Sequence, residues 1–330
     1  MKPINAYLVG TGSWFMAFGM QSVMFTWLVT MVLRESPTMV GVAQMTLLLP
    51  GTLLILLGGG ISDRFGGLRV VMLAQSISVV APILLIYLIW TDNLTFQTML
   101  IYAVLMGCAT AFVTPARDGL LNHVASGRIQ HAVMLTSMTQ FGFQILGFVF
   151  ASFTDAAGPL VILLGQASIL VIGVVGFSRI PPQTADTHSH RHLSMIKLVR
   201  EGAVTVWGDR QMRTVLFQNV AMGMFFMGSY IVTMPLLVRE VFEGSAADLA
   251  WMNAANSLGL VCTTMLILRL GGIHRQGRAL ILAQGIGALV LATGGVVPNF
   301  ALFVAMLFVW GACGGIAMTM ARTIVQEQAP

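Results

Sequence analysis

The charged residues whose spacing most suggests chemistry lie in a short glycine-rich stretch, Gly59 to Arg69. Asp63 is followed there directly by Arg64 and, five residues later, by Arg69. A carboxylate in this position can accept hydrogen bonds from backbone amides or pair with a nearby arginine, and breaking a partly buried pair leaves a charge uncompensated. Asp63 can pair in this way with Arg64, Arg69 or Arg117, and such a pair can lock one of two conformations. The alternative is a loop whose charges are solvated and only set the topology.

Other reactive side chains form no catalytic or metal-binding pattern. The sequence has no GxSxG, HExxH, phosphate-binding loop or dinucleotide fingerprint, so it predicts no enzyme, no cofactor and no ATP-driven pump. The three histidines from His188 to His192 could ligate a metal, but in a polar, Pro-flanked segment they are more typical of a solvated linker. Three cysteines lie in apolar runs without a CxxC or His partner, which indicates small buried hydrophobic residues: Cys108, Cys262 and Cys313.

The elements that carry these residues are predicted to be membrane helices. Hydrophobic residues make up 57% of the 330 residues and charged residues only 9%, against roughly 25% charged in soluble domains. Apolar runs of about 20 residues recur, each long enough to cross a ~30 Å hydrocarbon core as a helix. We predict ten spans, at about Tyr7–Leu33, Met39–Gly60, Val70–Trp90, Thr95–Val113, Ala132–Phe153, Gly158–Phe177, Val215–Val238, Leu249–Leu268, Ala279–Val297 and Phe300–Met320. The fold class is therefore an all-α polytopic membrane protein.

The distribution of cations predicts the orientation. With the N-terminus in the cytoplasm, only Arg34 and Arg239 face outward, so 15 of the 17 Lys and Arg residues lie inside. This placement also accounts for the net charge of +5, and no basic stretch is dense enough to bind nucleic acid. The expected partners are the lipid bilayer and a small-molecule substrate.

One long connection divides the chain into residues 1–178, with six spans, and 215–330, with four. The connection, 179–214, contains apolar residues at helical spacing between Leu193 and Trp207, which predicts an amphipathic helix on the cytoplasmic membrane surface.

An internal repeat crosses this connection. The segment Val29-Thr30-Met31 is echoed by Val232-Thr233-Met234, and the segment Leu68 to Gln75 by Gly277 to Gln284. A third echo joins Thr114-Pro115-Ala116-Arg117 to Thr319-Met320-Ala321-Arg322. The echoes keep chain order at offsets of 203 to 209 residues, which indicates two related halves, as in transporters built from parallel repeats.

The predicted spans contain no Asp, Glu, Lys or Arg deep inside them, so a proton-coupled mechanism has no evident central carrier. An uncharged cavity would suit hydrophobic or amphipathic compounds. For each candidate, an interhelical hydrogen bond is the alternative to substrate contact. The candidate cavity residues are Trp14, Gln21, Gln44, Gln140, Gln144, Asn219, Tyr230, Asn253 and Asn256.

The pattern Gly59-x-x-x-Asp63-Arg64-x-Gly66 resembles the signature loop of the major facilitator superfamily, and the chain resembles that superfamily over its whole length. The family usually has paired basic residues directly after the glycine, whereas Gly67-Leu68 intervenes here before Arg69. Residues Thr114 to Arg117, and Arg322 with Gln326-Glu327, are similar to the branch that contains macrolide-efflux and siderophore-export proteins.

This resemblance implies a major-facilitator-like helical bundle with about ten of an expected twelve transmembrane helices. It also implies a monomeric secondary transporter of the bacterial inner membrane, which exports hydrophobic or amphipathic small molecules by alternating access, with protons as a candidate coupling ion. Helix 5 has glycines at Gly142 and Gly147 but lacks the Gly-Pro pair of many drug antiporters. Two other readings stay open: a non-transporting sensor or inactive truncated remnant, and an uptake symporter, which the lack of charged cavity residues disfavours.

Overall fold

The computed structural model describes residues 2–125, 129–181, 204, 207–208, 210–269 and 275–328. The elements in these ranges are helices, and nine of them are long and apolar enough to cross a membrane. The predicted all-α polytopic class is therefore confirmed. The chain forms two compact units, Met1–Asp186 with Glu243–Ala250, and Thr187–Phe242 with Trp251–Pro330.

The first unit contains six long helices. They are α1 (Pro3–Trp27, continued by the π-helical turn Leu28–Val32), α2 (Pro37–Phe65), α3 (Gly67–Trp90), α4 (Phe96–Val124), α5 (Ile129–Ala151) and α6 (Pro159–Ser178), with a one-turn helix Thr154–Ala157 before α6. Prolines begin α1, α2 and α6, where a missing N–H costs nothing. We name the two ends of this unit the Asp63 end, where α2 joins α3, and the Asp92 end, where α3 joins α4.

Helix α1 is the centre of the first unit and packs against α5 and α6, while α2 and α3 both pack against α4. Glycines let the backbones touch. A Cβ atom at Gly19 would collide with the Gln144 carbonyl oxygen of α5, and one at Gly147 with the Met16 carbonyl oxygen of α1. Gly58 of α2 meets the Ala111 carbonyl oxygen of α4 in the same way. Such small residues are the usual means of close helix packing in membranes.

The remaining long helices lie in the second unit, apart from the segment Glu243–Ala250, which belongs to the first unit and contains the start of one helix. They are α7 (Arg210–Ala221, the π-helical turns Met222–Met227 and Ser229–Thr233, then Met234–Glu240), α8 (Ala246–Arg269), α9 (Gln276–Gly294) and α10 (Phe300–Gln328). Helix α9 packs against α10. Gly259 and Gly311 bring the backbones of α8 and α10 together, since a Cβ atom at Gly311 would collide with the Asn256 carbonyl oxygen.

Three helices run at least five residues past the predicted C-terminal ends of their membrane spans, and α10 is one of them, since it ends at Gln328 instead of Met320. Helices α2 and α4 were expected to stop at Gly60 and Val113, but they continue to Phe65 and Val124. At 29 residues each they measure about 44 Å, at 1.5 Å per residue, which exceeds the ~30 Å hydrocarbon core. The last turns of these two helices therefore extend past the apolar layer. Charged residues there do not end the helices, because they can reach water.

Some predictions lie outside the described residues. These are the histidine stretch from His188 to His192, most of the predicted amphipathic helix, and the side chains of Arg322, Gln326 and Glu327.

Candidate functional site

The signature stretch joins α2 to α3 through a single residue. Asp63 and Arg64 lie on the last turn of α2, Arg69 lies near the start of α3, and all three are exposed. Gly66 has φ of 89°, a left-handed value that favours glycine. At Gly67 a Cβ atom would lie 2.9 Å from the Ala116 carbonyl oxygen of α4. The expected charged loop is therefore two helix ends held at a fixed angle, with half-buried Gly59 one turn before Asp63.

Arg117 of α4 is only 6% exposed. Its guanidinium group donates to Asp118 Oδ1 at 2.9 and 3.2 Å and lies 4.7 Å from the centre of the Phe15 ring on α1. In this conformation Arg117 pairs with its neighbour Asp118 and stacks on an aromatic ring, as guanidinium groups favour. The gating role of Asp63, Arg64, Arg69 and Arg117 stays a prediction.

Buried polar contacts connect helix α1 to α2 and to α3. Near the Asp92 end, Gln44 Nε2 of α2 donates to Thr26 Oγ1 at 3.2 Å. Nearer the Asp63 end, Gln75 Nε2 of α3 donates to Ser13 Oγ at 3.2 Å and to the Leu170 carbonyl oxygen of α6 at 3.1 Å. The first contact contains Gln44, which was a candidate cavity residue. The second joins α1, α3 and α6 through the single side chain of Gln75.

The second unit has two similar but only partly buried contacts around helix α7. The Tyr230 hydroxyl donates to Asn253 Oδ1 of α8 at 3.1 Å, and the Tyr230 ring stacks on Trp310 of α10 with centroids 4.8 Å apart. Lower on α7, Gln218 Nε2 donates to Gln284 Oε1 of α9. Both candidates Tyr230 and Asn253 thus meet in one contact.

These four contacts match in pairs along the internal repeat. Gln218 follows Ser13 by 205 residues, and Gln284 follows Gln75 by 209. Tyr230 follows Thr26 by 204 residues, and Asn253 follows Gln44 by 209. These offsets fall in the range of the sequence echoes. In the first unit, neutral hydrogen bonds therefore join α1 to α2 and to α3. In the second unit, neutral hydrogen bonds join α7 to α8 and to α9 in the same way.

The other candidate cavity residues are not brought together in the same way. Trp14 and Gln21 are buried in α1, and Asn219 is exposed on α7. The remaining three are half-buried: Gln140, Gln144 and Asn256. The backbone carbonyl oxygens of Asn256 and Gln144 lie against glycines of neighbouring helices, and the choice between hydrogen bonding and substrate contact for their side chains stays a prediction.

Sequence reasoning missed several partners in these polar and aromatic contacts. They are Ser13, Thr26, Gln75, Gln218, Gln284 and Trp310. A signal was present for the pair Gln75 and Gln284, because each ends an echoed segment. Ser13 and Thr26 carry no such signal, since hydroxyl groups in apolar helices usually bond to their own backbone.

Comparison with known proteins gives a family and a fold. The family model described as transmembrane secretion effector matches residues 5–330. No curated protein matches the sequence.

The fold resembles those of solved transporters. The nucleoside transporter NupG aligns with a TM-score of 0.71 and 12% sequence identity, and the alignment covers 100% of this chain and 83% of NupG. A NupG mutant aligns with a TM-score of 0.72 and 12% sequence identity, and the alignment covers 100% of this chain and 84% of the mutant. An inward-facing, unoccupied bacterial homolog of the human lysosomal transporter Spinster aligns at 0.67 and 14%, over 99% and 79%. At these identities the likeness is one of fold.

Proposed function

We propose that this chain, which belongs to the transmembrane secretion effector family, exports hydrophobic or amphipathic small molecules by alternating access. Family and fold together make it a transporter of the major facilitator type. The family description supports outward transport. Within the superfamily we favour the branch of macrolide-efflux and siderophore-export proteins, on the Thr114 to Arg117 segment.

The observation that carries the substrate class is the neutral chemistry of the helix interiors. Among the described residues, Arg117 is the one charged side chain that is buried, and the other buried polar side chains are neutral: Ser, Thr, Gln and Asn. A pathway of this kind offers hydrogen bonds without ionic selection. It therefore favours compounds with a large apolar body and a few neutral polar groups over sugars or organic anions.

The proposed orientation places the Asp63 end in the cytoplasm of a bacterial cell, as the cation distribution favours. The exposed Asp63, Arg64 and Arg69 would then form the cytoplasmic gate together with Arg117. We also propose that export is coupled to protons. Because the predicted spans contain no Asp, Glu, Lys or Arg deep inside them, the group that binds the proton would lie at this gate.

Export is tested by accumulation of fluorescent amphipathic dyes and macrolides in cells that express the full-length transporter. We expect lower accumulation than in cells with an empty vector, and we expect a protonophore to abolish the difference. Tyr230→Phe removes the hydroxyl that contacts Asn253 and should weaken export. Thr214→Val is the matched control, because it removes an exposed hydroxyl on the same helix that donates to the Arg210 carbonyl oxygen of that helix.

Unchanged accumulation across the whole panel would contradict export and favour a non-transporting protein. Higher accumulation would instead indicate uptake. A difference that persists with the protonophore would keep export and remove proton coupling.

A further inference from the structure

The first unit contains an open pocket of about 220 Å³ at its Asp92 end, which we call the cavity. It lies where α1 ends, α3 passes to α4, and α6 begins at Pro159. This volume corresponds to about seven water molecules at ~30 Å³ each. The space is therefore suited to a small ligand.

The π-helical turn of α1 builds one wall of this cavity. The wall consists of Trp27, Leu28, Val32 and Leu33, which form two pairs five residues apart. The Leu33 N–H bonds to the Leu28 carbonyl oxygen at 2.9 Å, the i to i+5 pattern that stacks such pairs on one side. In a regular α-helix, residues five apart point about 140° away from each other. The π turn is thus the reason that four large apolar side chains line one space.

Asp92 is the one charged residue of the lining. It has φ of 52°, a left-handed conformation that is uncommon for residues other than glycine and occurs at functional sites. Its N–H donates to the Ile89 carbonyl oxygen at 3.3 Å, in the turn that follows the end of α3 at Trp90. The turn therefore fixes a carboxylate at the rim of an otherwise apolar cavity.

We propose that this cavity binds a small lipophilic amine. The ammonium group would pair with the Asp92 carboxylate, and the apolar body would lie against the π-turn wall. Trp27 adds an indole ring, the aromatic group that attracts cations most strongly. A negative ligand would be repelled by Asp92, and a purely apolar ligand would leave the carboxylate without a partner. The same chemistry is found in a free arylalkyl amine and in the amine headgroup of phosphatidylethanolamine.

The test is direct binding to the full chain in phosphatidylcholine nanodiscs, which requires no transport and so stands apart from the export assay. The probes are radiolabelled 4-phenylbutylamine and its neutral analogue 4-phenylbutanol. We expect the amine to bind more tightly than the alcohol. Asp92→Asn should weaken amine binding about fivefold, as for an exposed ion pair, and leave alcohol binding unchanged. Asparagine tolerates the left-handed conformation, so this variant keeps the turn.

Two further variants make the result specific. Asp155→Asn removes another exposed carboxylate that is outside the cavity lining, and it should leave both affinities unchanged. Val32→Trp fills the space and should remove binding of both probes. Equal binding of amine and alcohol by the unmodified protein, or equal weakening by Asp92→Asn and Asp155→Asn, would overturn the proposal.

Adding phosphatidylethanolamine to the nanodiscs distinguishes the two sources of the amine. Weaker binding of the free amine in these discs supports a lipid headgroup as the occupant. Unchanged binding supports a soluble amine.

Discussion

The Asp155 carboxylate accepts a hydrogen bond of 3.0 Å from the backbone N–H of Ala246. Ala246 is the first residue of α8, and the first N–H groups of a helix have no partner within the helix. Asp248 completes this helix start by accepting from the N–H and hydroxyl of Ser245 at 2.8 and 3.0 Å. Asp155 and Ala246 both belong to the first unit. The connection between α5 and α6 therefore caps the first turn of α8, which belongs to the same unit.

Removal of this cap should loosen the first turn of α8. Leu249 is fully buried there, so a cysteine placed at 249 reports opening through its rate of alkylation, after Cys108, Cys262 and Cys313 have been replaced. Asp155→Ala should raise that rate about fivefold, since the lost hydrogen bond is worth about 1 kcal/mol.

Asp155→Asn is the matched variant, because it keeps an oxygen acceptor without the charge, and it should raise the rate less. Equal rates in the unmodified protein and Asp155→Ala would show that the cap does not hold the turn.

The backbone contact of α1 with α5 should tolerate no side chain. Gly147→Val would press against the Met16 carbonyl oxygen and should destabilise the protein by about 1–3 kcal/mol, measured as the midpoint of thermal unfolding in detergent. Gly142→Val on the same helix is the control, since a Cβ atom there meets nothing within 4 Å. A similar loss in both variants would mean that valine itself is the cause.

The repeat-related contacts should have similar energies. A double-mutant cycle of Ser13→Ala with Gln75→Leu should give a coupling of about 0.6 kcal/mol, the usual size for hydrogen bonds between membrane helices. Gln218→Ala with Gln284→Leu should give the same sign and size. The crossed pair of Ser13→Ala with Gln284→Leu serves as control and should show no coupling. Opposite signs in the two units would contradict their equivalence.

Arg117 should resist even a conservative replacement. Arg117→Lys keeps the charge but loses the flat group over Phe15 and one of the two bonds to Asp118, so we expect a loss of about 1 kcal/mol in stability. Arg69→Lys, an exposed arginine at the same end, should change the unfolding midpoint little. If both variants behave alike, the ring contact contributes nothing.

The helices could be predicted from the sequence because twenty apolar residues have few alternatives in a membrane. Their ends could not be predicted from charge. Asp63 and Arg64 continue α2 because its last turns extend beyond the apolar layer, and Gly66 ends the helix by conformation.

The candidate site was predicted in part. Tyr230 and Asn253 were both named, and they do meet, but spacing along a helix does not show which neighbour a side chain faces. Trp310 and Ser13 were missed for this reason. The cavity beside Asp92 could not be foreseen, since a π turn leaves no mark in the apolar run from Trp27 to Leu33.

The π turn at Leu28–Val32 also has a genetic meaning. A turn bonded from residue i to i+5 holds one residue more than an α-helical turn, so it is the folded form of a single-residue insertion. Deleting one of residues 29–31 would restore a regular helix and leave the residues beyond it facing the same way, because the wide turn is what absorbs the extra residue. The pairs of Trp27 with Val32 and of Leu28 with Leu33 would then be four residues apart, the spacing that keeps two side chains on one face of an α-helix. The wall can therefore be made with or without the extra residue, whereas the wide turn itself depends on it.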